Sequence, residues 1–165
     1  GGWVHCFTAP RALTLRGGRV IARPYLPGLP LAPATLEGIP GDEAGARVVE
    51  LVGSRSWRLS FDASYEGALS VRIGSGSGLS ITLEDARLSV DLTGTRYPHG
   101  GRRVVTLEPG EACRVEILHD RSITEIYLGD GSRVFTTRSF LNGDGSGVSL
   151  TGAASVTNVS AARAD

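Results

Sequence analysis

An all-β fold, an antiparallel sandwich or barrel, follows from three features of this sequence. Apolar and polar residues alternate with a period of two from Trp57 to the C-terminus, turn-forming clusters recur about every ten residues, and no segment carries a sustained helical period. In Trp57-Arg58-Leu59-Ser60-Phe61-Asp62-Ala63 the odd positions are apolar and the even ones polar, the pattern of a strand with one buried and one wet face. The same alternation predicts strands at residues 69–73, 79–83 and 88–92. Between them lie Tyr65-Glu66-Gly67, Gly74-Ser75-Gly76-Ser77-Gly78 and Glu84-Asp85-Ala86, clusters whose residues suit turns. Further strands are predicted at 103–107, 113–118, 123–128, 134–140, 148–150 and 155–161.

The region before residue 50 reads differently. Residues 4–7, 13–15 and 20–23 predict short strands of a small meander, with Arg16-Gly17-Gly18-Arg19 as a hairpin turn. Four prolines then fall between residues 24 and 33, which excludes a central strand or a helix interior. The leucines of that stretch predict a semi-rigid linker docked on protein rather than one free in solvent.

Composition narrows the function. The 165 residues balance 17 basic against 17 acidic side chains, so no cationic surplus exists to neutralise phosphates, and nucleic acid and anionic membrane are not expected partners. No apolar run is long enough to span a bilayer. The N-terminus, Gly1-Gly2-Trp3-Val4-His5, lacks the basic and apolar regions of a signal peptide and an initiator Met, so the chain reads as an excised fragment, and its cysteine usage leads to the expectation of a cytoplasmic origin. Cys6 and Cys113 each lie in an apolar run and are expected as reduced thiols.

Candidate catalytic groups are few. Asp62 with Glu66, Glu84 with Asp85, and Asp120 with Glu125 are the nearest carboxylate pairs; a glycosidase needs two carboxyls facing each other across a sugar, and turn or solvated roles explain these better. His5, His99, His119, Cys6 and Cys113 lack the paired short spacings of zinc sites, and no metal or cofactor is expected. Gly74-Ser75-Gly76-Ser77-Gly78 resembles a nucleophile elbow only as a string, because no helix follows it. No Gly-rich turn opens a helix that could receive a phosphate. Tyr25, Tyr65, Tyr97 and His99 lie near turns and could stack on a sugar, although ordinary packing explains each as well. Residues 115–138 predict a three-stranded meander turning at Asp120-Arg121-Ser122 and Gly129-Asp130-Gly131. Glu125 projects mid-strand there and needs a cation, with Arg133 or Arg138 on the adjacent strand as the expected partner.

This meander carries a resemblance. Leu118-His119-Asp120-Arg121-Ser122-Ile123-Thr124-Glu125-Ile126-Tyr127-Leu128, then Gly129-Asp130-Gly131 and Val134-Phe135-Thr136-Thr137-Arg138, resembles the D-R-S-x-x-E stretch in the C-terminal β-sandwich of glycoside hydrolase family 32, the family of invertases, levanases, inulinases and sucrose-6-phosphate hydrolases. Gly2-Trp3, Cys6-Phe7-Thr8-Ala9-Pro10-Arg11-Ala12-Leu13-Thr14-Leu15, Gly18-Arg19-Val20 and Arg23-Pro24 are similar to the end of that family's catalytic five-bladed propeller. Ala12 stands where the family usually has Glu, and the Pro-rich stretch replaces a more charged connection.

The resemblance implies a two-sheet antiparallel β-sandwich of the lectin-like jelly-roll kind, preceded by a short β-meander left from the propeller. It divides the chain into 1–23, the end of the propeller; 24–45, the linker; and 46–165, the sandwich. The family's catalytic strings, Asn-Asp-Pro, Arg-Asp-Pro and Glu-Cys, do not occur in the chain, so no catalytic residue is assigned to it, Pro10 and Arg11 included. The implied role is a non-catalytic accessory domain of a β-fructofuranosidase. Its partners would be the missing propeller and, in some relatives, further copies; self-association through Trp3, Val4 and Phe7 is expected. The alternative is a carbohydrate-binding module for fructans or terminal fructose, and it requires two exposed aromatics sharing one face or loop cluster. An independent hydrolase would need two carboxylates converging in a deep pocket.

Overall fold

The computed structural model describes residues 6–38, 47–49, 55–74, 78–108, 112–142 and 147–164. Within them the chain forms β1 Arg11–Arg16, β2 Arg19–Pro24, β3 Ala32–Pro33, β4 Leu36–Gly38, β5 Arg47–Val49, β6 Ser56–Ser64, β7 Leu69–Ile73, β8 Leu79–Glu84, β9 Arg87–Asp91, β10 Arg102–Thr106, β11 Ala112–Asp120, β12 Ile123–Leu128, β13 Arg133–Arg138, β14 Val148–Gly152 and β15 Val156–Ala164. A single 3-10 turn, Pro98–Gly100, interrupts them, and no helix of the described residues is long and apolar enough to cross a membrane.

Two antiparallel sheets make the sandwich. One runs β10-β9-β8-β7-β14-β5-β4, the other β13-β12-β11-β6-β15-β3, and β1 with β2 forms a separate hairpin. The alternation read from the sequence is the cause: Leu69, Val71 and Ile73 from one sheet meet Trp57, Leu59, Phe61, Val115, Ile117, Ile126 and Leu128 from the other in a single core. Phe61 and Leu59 are wholly buried there. Removing this apolar surface from water is the main stabilising term of the fold.

Three local readings change. Cys6 and Phe7 lie outside any strand, so the expected meander is a two-stranded hairpin, with Val4 and His5 outside the described residues. The proline-rich stretch is not only a connection: β3 pairs with β15 and β4 with β5, each at the end of its sheet. Edge positions tolerate Pro33, since a residue without an N–H can sit where one side of the ladder is unpaired. At the C-terminus the register shifts between Thr157 and Ser160, where Asn158 takes a positive φ of 51° and lets β15 bulge and continue to Ala164.

Candidate functional site

In β12 the two faces carry different chemistry. Ile126 and Leu128 point into the core, whereas Glu125 and Tyr127, at alternate positions, lie on the outer face and are nevertheless buried. The cover is the N-terminal segment. Ala22 N–H donates to the Gly131 carbonyl at 3.0 Å, and Arg23 Nε donates to the Asp130 carbonyl at 2.9 Å. Gly131 is required for this approach: at φ +99° a Cβ there would stand 2.3 Å from the Ala22 oxygen.

Glu125 is the centre of the junction. Ala9 N–H donates to Oε1 at 2.7 Å, while Arg11 Nη2 and the Tyr127 hydroxyl donate to Oε2 at 2.5 and 2.9 Å. Arg11 also donates from Nε to the Tyr127 oxygen at 3.1 Å and from Nη2 to Thr136 Oγ1 at 2.7 Å. Burial, reinforced by the neighbouring carboxylate, pushes the Tyr127 hydroxyl well above its ordinary range, so it stays a donor.

The cation that meets Glu125 is therefore Arg11 and not the expected Arg133 or Arg138. Register sets Glu125 opposite Thr136, with Arg138 opposite Ile123 and Arg133 opposite Leu128, so neither arginine is its cross-strand neighbour. Its partner instead comes from 114 residues away, between the two motifs that carried the family resemblance.

The other carboxylates do not form a catalytic pair. Asp62 accepts from Asn158 at 2.8 Å and faces Arg114 at 3.5 Å, while Glu66 is exposed. Glu84 and Asp85 are exposed at the β8–β9 turn, where Asp85 and Ala86 both take positive φ. Asp120 and Glu125 do line one cavity of about 340 Å³, together with Phe7, Leu26, Leu29 and Leu118. Both Glu125 oxygens are nonetheless occupied by protein donors, and Asp120 accepts the Ser56 hydroxyl at 2.6 Å.

His119 serves the interior. Its ring lies 5.2 Å from that of Trp57, Nδ1 is 3.0 Å from Thr124 Oγ1, and Thr124 is 2.9 Å from Ser139 Oγ. Burial, partly opposed by Asp120, pushes its pKa down to about 4, so it is neutral at pH 7. Cys6 and Cys113 are free thiols, and burial raises both the Cys113 thiol and the adjacent Tyr65, the latter to about 12. Among the described residues no three His, Cys, Asp or Glu side chains converge on a metal position. His5 and the loop residues Ser75, Gly76 and Ser77 lie outside the described residues.

Of the aromatic candidates, Tyr97 and His99 fall at one turn and Tyr25 and Tyr65 lie elsewhere in the chain. Tyr65 packs on the core and Tyr25 is exposed beside the hairpin. Tyr97 meets Phe140 edge-on at 5.2 Å, with Arg96 stacked over Tyr97 and Arg138 over Phe140. His99 is exposed on the same 3-10 turn.

The hairpin has a second, open face. Cross-strand partners Leu15 and Val20, with Leu13 on the same side, are 73%, 60% and 68% exposed, while Ile21 on the opposite side is buried. Comparison with known proteins gives this arrangement its setting: residues 45–164 match the family model described as Glycosyl hydrolases family 32 C terminal. The chain belongs to that family.

Among family 32 relatives, the probable sucrose-6-phosphate hydrolase of Vibrio cholerae serotype O1 (strain ATCC 39315 / El Tor Inaba N16961) is 32% identical over 157 residues, covering 92% of this chain and 27% of that protein. The Escherichia coli sucrose-6-phosphate hydrolase is 27% identical over 150 residues, covering 84% of the chain and 30% of its own length. The chain thus spans under a third of these relatives. The solved sucrose-6-phosphate hydrolase of Lactobacillus gasseri superposes with a TM-score of 0.80 at 20% identity, over 99% of this chain and 34% of that one. The exo-inulinase of Aspergillus awamori gives 0.63 at 15%, over 92% and 34%. These two likenesses establish the fold, the family 32 C-terminal β-sandwich.

Proposed function

We propose that this family 32 module is the non-catalytic C-terminal part of a β-fructofuranosidase acting on sucrose or sucrose 6-phosphate, and that it holds the end of the catalytic propeller in place. The observation that carries this reading is the two-sided hairpin. One side is fixed to the sandwich through Glu125, Tyr127 and Gly131, and the other presents Leu13, Leu15 and Val20 to a partner. Most of the length of the curated relatives lies outside this chain, and the propeller is the occupant that length supplies. A salt bridge mostly shielded from water gives the hairpin a fixed orientation, which a docking surface needs if the propeller's last blade is to close.

The test is reconstitution. The remaining catalytic part of the parent polypeptide is produced separately and mixed with this chain. The expected result is an equimolar complex whose sucrose hydrolysis survives heating better than that of the catalytic part alone, with the gain lost in Leu13→Ser/Leu15→Ser. Sucrose hydrolysis by this chain alone, or a catalytic part equally stable without it, overturns the reading. Without the propeller the same face is expected to pair copies of the chain, which sedimentation velocity reads as a concentration-dependent dimer abolished by the same double variant.

A further inference from the structure

We propose that the cavity between the hairpin and the outer face of the six-stranded sheet binds a phosphate monoester carried on a sugar-sized polyol. The cavity has a volume of about 430 Å³, in the range that holds a small metabolite. Arg23 from β2, Arg58 from β6 and Arg114 from β11 all line it. Three strands far apart in sequence therefore each contribute an arginine to the wall of one space, and Arg is the side chain whose planar fork matches a phosphate.

The charges around it leave a cationic excess. Glu116 is held by Arg58 Nε at 2.6 Å, and the Asp130 carboxylate faces Arg16, outside the cavity wall, at 3.4 Å. Asp62 stands 3.5 Å from Arg114 and is itself bonded by Asn158. Arg23 has no carboxylate partner among the described residues, and its Nε is fixed by the Asp130 carbonyl. With Arg16, Arg23, Arg58 and Arg114 against Asp62, Glu116 and Asp130, one positive charge is uncompensated.

Donor capacity points the same way. Arg58 donates from Nε to Glu116 and from Nη1 to the Leu29 carbonyl, which fixes its orientation and leaves Nη2. Arg114 makes only the long contact to Asp62, and both terminal nitrogens of Arg23 lack partners among the described residues. A phosphate offers three strong acceptor oxygens to such a set. Pro24 and Leu31 supply an apolar flank, and the second oxygen of Glu116, not taken by Arg58, can accept a hydrogen bond from a polyol hydroxyl. The lining residues named here all come from this chain, and the binding test below does not use the propeller reading.

Isothermal titration of the chain with fructose 6-phosphate, inorganic phosphate and fructose tests the proposal. The ester is expected to bind, with affinity falling as salt rises, and fructose to give no heat. Arg23→Gln/Arg114→Gln is expected to weaken binding by about tenfold or more, with Arg114→Gln alone, at an exposed position, retaining the fold and losing part of the affinity. Arg72→Gln, on the exposed face of the other sheet, should leave it unchanged. Undiminished binding in the double variant, or no heat with the ester, overturns the site. Inorganic phosphate binding as tightly as the ester overturns the polyol part, and fructose binding equally well overturns the anion part.

Discussion

The two sheets differ in what lies on their outer faces. In the seven-stranded sheet, β7 alternates Leu69, Val71 and Ile73 inward with Ser70 and Arg72 outward, and Arg72 reaches solvent. In the six-stranded sheet, five consecutive residues of β12, Thr124 to Leu128, are all buried. β12, Ile123-Thr124-Glu125-Ile126-Tyr127-Leu128, lacks that clean alternation, and its outer face is buried because the N-terminal segment lies over it: Ala9 and Arg11 bond Glu125 there. A charged residue on a covered face has to be paired: Glu116 meets Arg58 within the sheet, whereas Glu125 takes Arg11 from the cover.

The largest effect expected is in the core the sheets share. Phe61→Ala should cost about 3 to 5 kcal/mol in urea unfolding, because it empties a wholly buried aromatic site, while Arg72→Ala on the wet face should change stability by less than about 0.5 kcal/mol. Equal costs would remove the distinction between inner and outer faces.

His119 gives the next effect, as a dependence on pH. Its folded pKa of about 4 lies below the unfolded value of 6.5, so the unfolded chain takes up the proton first as pH falls. Stability from this group is full above pH 6.5, declines between 6.5 and 4, and is constant below; the loss is up to about 3 kcal/mol. Denaturation midpoints across that window should fall for the native sequence and flatten for His119→Gln.

The covered face can be opened directly. Glu125→Gln should cost about 2 kcal/mol by removing the carboxylate shared by Arg11, Tyr127 and Ala9. Amide exchange should then accelerate first at Ala22, whose N–H holds the hairpin to Gly131, and remain slow in β7. Uniform acceleration would make the hairpin part of the core rather than a docked cover. The smallest effect is reserved for Arg16→Ala: its contact to Asp130 is exposed and 3.4 Å long, so the change should stay within about 0.5 kcal/mol.

Much of this was legible in the sequence because strand formation here depends on local alternation. Trp57 to Ala63 and Leu69 to Ile73 declare their inner and outer faces residue by residue, and the Gly129-Asp130-Gly131 turn declares the hairpin between β12 and β13, whereas in β12 itself inward Thr124 and outward Ile123 run against the pattern. The motifs around Pro10-Arg11 and Asp120-Arg121-Ser122 also identified the family. The strands at Ala32–Pro33 and Leu36–Gly38 were not legible, since two or three residues carry no period and exist as strands only because an edge was available.

The sequence by itself determined the all-β class, most strands and the composition of the core, because side-chain direction along an extended chain is fixed by a period of two. Tertiary structure alone decided that Arg11 rather than Arg133 or Arg138 meets Glu125, and that Arg23, Arg58 and Arg114 share a cavity. Those pairings depend on how the hairpin lies across a sheet whose strands are far away in the chain, and no local pattern encodes that distance.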